Sequence, residues 1–279
     1  MYMGTPKIAI PSLEMLTTLY SDATITVISR PDAPVGRGKK VRPSEVKQWA
    51  IDKKLTTYTP ESKQALAELV EQLSPDLIVV MAYGMIIPKS ITDNYFCINS
   101  HASILPQYRG ASPIQASLLN NDPETGITLI RMNEKMDEGD ILAIQTVPIT
   151  QTDNYSSLTD KLQTLAAETL HTFLANDYAN QTVKASPQSN EAASYCKKIS
   201  KDDLQLDLSN DISISLGKIR AFSPKPGAYI MHNDKRLKLL AATVEENQLV
   251  PTTVQPEGKQ AMPYSAYLNG QPKGTSPPC

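Results

Sequence analysis

Up to about residue 180 the chain alternates two apolar patterns. Residues 76–81 (DLIVVM) lack the regular polar gaps of a half-buried strand and fit a strand covered on both faces of a parallel sheet. The short apolar runs are ATITVIS (23–29), PDLIVVM (75–81), FCINS (96–100) and ITLIRM (127–132). Between them lie PSLEMLTTLY (11–20), KQALAELVEQL (63–73) and SSLTDKLQTLAAETLHTFL (156–174), whose apolar residues recur at helical spacing. Such alternation predicts an α/β fold with a doubly wound, mostly parallel, Rossmann-like sheet. Residues 181–207 are polar, lose the apolar period and read as a linker. Beyond them GAYIM (227–231), HNDKRLKLLAATV (232–244) and LVPTTV (249–254) are β-type runs between turn signals. A larger domain over 1–180, the linker over 181–207 and a smaller all-β domain over 208–279 are therefore expected.

The candidate chemistry gathers where one predicted strand ends. An apolar run from Tyr95 leads into Asn99-Ser100-His101, and in open α/β sheets the reactive groups lie outside the carboxyl ends of strands. Asn99 and His101 are two apart, so on an extended backbone they face the same side. Leu105-Pro106 and Arg109-Gly110 predict turns that fold the next loop back over them, and Ser112-Pro113 opens a helix, IQASLLNN (114–121). ITLIRM continues into NEKMDEGDIL (133–142), a turn from which Asp137 or Asp140 can reach His101. The residues alone leave that choice open, and Asp-Glu-Gly-Asp is also ordinary turn chemistry. An Asn, a His and an Asp together suit acyl-type transfer to an amine: the amine loses a proton as it attacks, and the carbonyl oxygen turns negative and needs a donor. His171 and His232 have no polar company and read as structural.

Composition narrows the setting. A chain of 279 residues with 41% hydrophobic content can build two cores. It has no apolar run of about 18 residues, the length a membrane helix needs, and MYMGTPKIAI lacks the charged-then-apolar order of a secretion signal. Cys97, Cys196 and Cys279 are isolated, so a reducing, cytoplasmic location and no metal are expected. The net charge of −2 hides an asymmetry: from Ile212 onward eight Lys/Arg stand against four acids, +4, which leaves −6 on the remainder. Residues 30–47 of that remainder hold Arg30, Arg37, Lys39, Lys40, Arg42 and Lys47 against only Asp32 and Glu45. A basic loop and a basic small domain suit a phosphate-backbone ligand gripped from two sides, although a plain solvated loop has the same composition.

Asn99-Ser100-His101, Ser103 through Gly110 (SILPQYRG), Ala111-Ser112-Pro113-Ile114-Gln115 and Met136-Asp137-Glu138-Gly139-Asp140 together resemble the 10-formyltetrahydrofolate-dependent formyltransferase superfamily, most closely its methionyl-tRNA branch. Gly4-Thr5-Pro6, the basic stretch 30–47, Ala82 through Pro88, Arg220-Ala221-Phe222-Ser223-Pro224 and Gln255 through Lys259 extend the likeness nearly end to end. It implies transfer of a formyl group from 10-formyltetrahydrofolate to the amine of methionyl initiator tRNA, with Asn99, His101 and Asp137 catalytic. It implies a folate pocket lined by Tyr83, Gly84, Met85, Ile86, Ile87 and Pro88 with Ser103, Ile104, Leu105 and Pro106. It implies tRNA contacts at Arg37, Lys39, Lys40, Arg42, Lys235 and Arg236, with Arg37 foremost because its planar fork can pair with phosphate or stack on a base. The C-terminal domain is expected to be an OB-like barrel. A monomer with no membrane partner is expected. The alternatives are a sugar-amine formyltransferase, a 10-formyltetrahydrofolate hydrolase and a catalytically degenerate tRNA-binding protein. Relative to the family pattern the first strand is clipped and about a hairpin is missing near 244–251, which predicts an incomplete barrel.

Overall fold

The computed structural model describes residues 1–36 and 38–271. The chain forms two compact units, one of residues 1–110, 126–147 and 160–195, the other of 111–125, 148–159 and 196 onward. The strands are β1 (Tyr2–Gly4), β2 (Thr26–Ile28), β3 (Ala33–Val35), β4 (Lys40–Arg42), β5 (Thr56–Tyr58), β6 (Ile78–Met81), β7 (Cys97–His101), β8 (Arg109–Gly110), β9 (Glu124–Arg131), β10 (Asp140–Pro148), β11 (Tyr195–Cys196), β12 (Ala228–His232), β13 (Lys235–Glu245), β14 (Gln248–Pro256) and β15 (Met262–Pro263). The helices are α1 (Ile10–Leu19), α2 (Glu45–Asp52), α3 (Lys63–Leu73), α4 (Lys89–Asn94), α5 (Pro113–Leu119), α6 (Tyr155–Phe173), α7 (Ile212–Phe222) and α8 (Tyr264–Asn269).

The first unit is built on a seven-stranded sheet in the order β10-β9-β7-β6-β1-β2-β5. β5, β2, β1, β6 and β7 run parallel, with Met3 beside both Ile28 and Val80, and Val80 beside Asn99. β6 is buried at every position, as its unbroken apolar run requires. ITLIRM breaks the parallel pattern: β9 runs antiparallel to β7, with His101 opposite Thr128. The clipped first strand nevertheless pairs on both sides, with β2 and with β6. Its three residues are fully enclosed between β2 and β6, and the chain's amino terminus donates to the Leu77 carbonyl at 2.7 Å.

α3 keeps the sequence boundaries because Ser62 caps it, accepting from the Ala65 amide at 3.1 Å, and Ser74 ends it in the left-handed region. Leu66 and Val70 from its inner face join Met3, Ile28, Ile78, Val80 and Ile91 in one core. Each such side chain contributes about 1.5–3 kcal/mol through burial. The basic stretch is a short exposed hairpin rather than a plain loop, β3 pairing with β4 through Val35–Lys40 and Ala33–Arg42.

In the second unit β12 to β15 form one four-stranded antiparallel sheet, and α7 packs on β13 and β14. Two tight turns set its register: Asn233-Asp234 and Glu246-Asn247 have positive φ at both positions, the requirement of type I′ hairpins. α7 is absent from the sequence expectation, and Gly217 within it explains why. A Cβ there would stand 3.0 Å from the Leu118 and Leu119 carbonyl oxygens of α5, so close helix packing selects a residue that weakens the helical signal. Among the described residues no helix is long and apolar enough to cross a membrane.

Candidate active site

β1, β6 and β7 are parallel, so the loops after Gly4, Met81 and His101 leave one edge of the sheet. Thr5 Oγ1 donates to the Tyr83 carbonyl at 2.7 Å and ties two of these loops together. From β7, Asn99 and His101 both turn to Asp137, as their spacing of two predicts. Asn99 Nδ2 donates to Asp137 Oδ1 at 3.2 Å, and His101 Nδ1 lies 3.5 Å from the same oxygen. The His101 and Asp137 side chains are only 7% and 11% exposed. His101 Nε2 is 2.9 Å from the Tyr108 carbonyl oxygen. A carbonyl can only accept, which assigns the hydrogen to Nε2 and leaves Nδ1 to exchange a proton. Asn99 keeps a second amide hydrogen beyond the one given to Asp137.

Asp137 is the carboxylate the structure brings to His101, whereas Asp140 opens β10 with its side chain exposed. Several groups that the sequence reading did not select hold Asp137 in place. The Gly110 amide donates to Asp137 Oδ2 at 2.9 Å. Asp137 itself sits at φ 57°, a left-handed conformation disfavoured for a residue with a Cβ. Gly139 must be glycine, since a Cβ would stand 2.0 Å from the Arg131 carbonyl oxygen. Gln188 Nε2 donates to the Asp137 carbonyl at 2.8 Å and to the Gly139 carbonyl at 2.7 Å. Its Oε1 accepts from Arg109 Nε at 3.0 Å. Arg109 is 1% exposed and also donates to Asn190 Oδ1 and the Tyr195 hydroxyl at 3.1 Å, while its backbone amide donates to the Ser194 carbonyl at 2.9 Å. Residues 188–195 thus strap both the LPQYRG loop and the Asp137 turn. They lie in the polar stretch read as linker, and the only signal in it was a concentration of Gln, Asn, Ser and Tyr.

In the loop after β6, Tyr83 and Ile87 are buried, Met85 and Pro88 half-buried, and Gly84 and Ile86 exposed. Gly84 has φ 80° and open space where a Cβ would be. In the loop after β7, Ser103 and Leu105 are buried, and Ile104 and Pro106 half-buried. The Leu105 amide and the Ser103 carbonyl both bond the Thr128 hydroxyl, at 3.0 and 2.7 Å, which anchors that loop to β9. Burial pushes the Tyr83 hydroxyl up to about 12, against the attraction of the Arg30 charge, and the group has no hydrogen-bond partner among the described residues. Lys39, Lys40 and Arg42 are exposed on the β3–β4 hairpin, and Arg37 lies outside the described residues. In the second unit Lys235 and Arg236 are exposed at the start of β13, with the Arg236 guanidinium 4.9 Å from the Tyr229 ring centre.

A formyl transferase family model matches residues 4–174, and a model of the formyl transferase C-terminal domain matches 198–250. A methionyl-tRNA formyltransferase from Pseudoalteromonas translucida is 36% identical over 99% of this chain and 95% of its own length. The chain belongs to the methionyl-tRNA formyltransferase family. A second family member, from Hydrogenobaculum, is 38% identical over 89% of this chain and 81% of its own length. An N-formyltransferase from Helicobacter canadensis, solved with folinic acid and dTDP-3-aminofucose, shares the fold: TM-score 0.69, 19% identity, 94% of this chain and 97% of that one. The formyltransferase models cover Asn99, His101, Asp137, Lys235 and Arg236, while the strap at 188–195 falls between them.

Proposed function

We propose that this protein transfers the formyl group of 10-formyltetrahydrofolate to the α-amine of methionine on initiator tRNA. The observation that carries the chemistry is the meeting of Asn99 Nδ2 and His101 Nδ1 at Asp137 Oδ1. The substrate follows from family membership, since relatives at 36–38% identity bear the methionyl-tRNA formyltransferase name. The co-substrate supplies a formyl carbon on a nitrogen that leaves once protonated. A flat, donor- and acceptor-rich pterin fits peptide edges between apolar walls, and Gly84 offers an open edge beside Ile86 and Ile87.

In this reading the amine nitrogen forms a bond to the formyl carbon while the free Asn99 hydrogen is donated to the oxygen that becomes negative. His101 Nδ1 takes the proton released by the amine, and the Asp137 carboxylate favours the resulting imidazolium and keeps the ring aimed. His101 then returns that proton to the departing nitrogen, so the enzyme ends as it began. Lys39, Lys40 and Arg42, with Arg37, serve the acceptor end of the tRNA, and Lys235 and Arg236 bind its backbone. A cytoplasmic monomer completes the reading.

The test is transfer of a labelled formyl group to charged initiator tRNA, to a nucleotide-linked amino sugar and to water, measured side by side. Label on methionine alone is the expected result, and faster transfer to the sugar or to water would overturn it. Replacing Lys39, Lys40 and Arg42 together by Ala should raise KM for tRNA and flatten its dependence on salt, each lost phosphate contact lowering the log–log slope by about 1.

A further inference from the structure

We propose that Gln188 is a positioning residue for the reaction, a latch that holds Asp137 in its strained conformation and ties it to the buried Arg109. The inference rests on the functional reading above and names a residue outside the catalytic set. Asp137 reaches His101 only because the turn after β9 folds back with Asp137 at φ 57°. Such a conformation persists where the surroundings over-determine it. The Gln188 carboxamide grips the backbone of this turn at two points, beside the Gly110 amide on the Asp137 side chain and the Asn133 amide on the Glu138 carbonyl. Both hydrogens of its nitrogen are committed, one to the Asp137 carbonyl and one to the Gly139 carbonyl, on either side of Glu138. Its oxygen is fixed in turn by Arg109 Nε.

The donor at the other end is as firmly set. Arg109 is enclosed, its guanidinium bonded by Asn190 and Tyr195 and lying 3.7 Å from Glu138 Oε1. Its next residue, Gly110, donates from its amide to Asp137 Oδ2, and its preceding residue, Tyr108, supplies the carbonyl that receives His101 Nε2–H. One short loop therefore places the imidazole, the carboxylate and, through Gln188, the backbone that bears the carboxylate. An amide is the side chain that can do this. Donation to two carbonyls and acceptance from a guanidinium require NH2 and C=O on one planar group, which Glu cannot supply when ionised and Leu or Ala cannot supply at all.

Two variants separate the latch from simple packing. Gln188→Ala removes both halves of the contact, while Gln188→Glu keeps an acceptor for Arg109 and removes the donation to the turn. Both should unfold near the wild-type temperature in the Glu case and a few degrees lower in the Ala case, yet both should lose roughly tenfold to a hundredfold in kcat, the scale of a misplaced catalytic group, with KM for tRNA little changed. The limb of the kcat–pH profile governed by His101 should also be displaced, which a merely structural residue would not do. Wild-type kcat and pH profile in either variant would overturn the proposal, whatever happens to stability. If the wild-type protein transfers no formyl group, the functional reading fails but the latch remains testable. The chain has three histidines, so the ring-nitrogen NMR signals of His101 can be assigned with a His101→Ala control. Altered ring signals in Gln188→Ala support the latch, and unaltered ones refute it.

Discussion

The two sides of the active site are held by different physics. On one side Asn99 and His101 stand on β7, a strand flanked by β6 and β9, where the pleat alone aims side chains two apart in the same direction. On the other side Asp137 stands on a turn with a left-handed backbone, and its place depends on Gly139 in the same turn and on Gln188, Gly110 and Arg109 from two other parts of the chain. A strand-borne group needs little beyond its register. A turn-borne group needs tethers, and each tether is a place where the site can be loosened without touching the substrate.

The largest effects should come from the strand-borne pair, which in the proposed reaction acts on the reacting atoms themselves. Asn99→Ala or His101→Ala should each remove about 2–4 kcal/mol of transition-state stabilisation, the scale of one oxyanion donor or one acid–base group. Both variants should retain wild-type unfolding temperature to within a few degrees, because β7 keeps its ladder. Single-turnover formylation rates measure this, and near-normal rates in both variants would remove the assignment. Asp137→Asn comes next. It keeps the side-chain shape but gives up the negative charge beside His101 Nδ1, and a loss of roughly tenfold to a hundredfold in kcat is expected on the scale of a lost orienting partner. Asp140→Asn, at an exposed position, should change kcat by less than about twofold. The reverse ranking would exchange the two carboxylates.

Gly139→Ala sharpens the contrast from the turn side. Its Cβ would lie 2.0 Å from the Arg131 carbonyl oxygen, an approach no relaxation of a flexible side chain can relieve, since the obstacle is backbone. The turn must shift, at a cost of about 1–3 kcal/mol in stability, with Asp137 displaced from His101 as it does so. The matched control on the strand side is Ser100→Ala. Ser100 is buried between Asn99 and His101 with a hydroxyl that has no partner among the described residues, so its loss should leave stability unchanged or raised by about 1 kcal/mol. Chemical denaturation of the two variants together with their formylation rates tests the pair. Comparable losses in both would mean that the strand side is no more self-sufficient than the turn.

The same contrast explains what could be seen in the sequence. Strand runs, the helical period of α3, and the Asn99–His101 spacing were legible because local period decides them. The antiparallel course of β9 was not, because a dense apolar run carries no direction. α7 was hidden by Gly217, whose reason lies in α5. The strap at 188–195 was hidden because its residues act through partners 51 and 79 positions away, at Asp137 and Arg109, and polar residues with distant partners look like linker. The choice between Asp137 and Asp140 needed the fold for the same reason.

The smallest expected effect belongs to Tyr83, which follows β6 on the strand-borne side and tests whether that side relies on side-chain tethers at all. Its hydroxyl is buried with no partner among the described residues, and its carbonyl rather than its side chain takes the Thr5 contact. A buried hydroxyl without a partner costs about 1–3 kcal/mol, so Tyr83→Phe should be neutral or stabilising by about 1 kcal/mol at neutral pH. The pH dependence has a definite sign. Burial raises the folded hydroxyl to about 12 from its ordinary value of 10.0, so the unfolded chain releases its proton first as pH rises. The contribution is fully present below pH 10 and is lost as pH climbs through about 12. Tyr83→Phe should flatten that alkaline decline, as urea unfolding at pH 7 and near pH 11 would show. A variant destabilised by more than about 1 kcal/mol would mean that the hydroxyl carries a tether after all. Unchanged stability with a higher KM for the folate would give that hydroxyl a partner in the co-substrate.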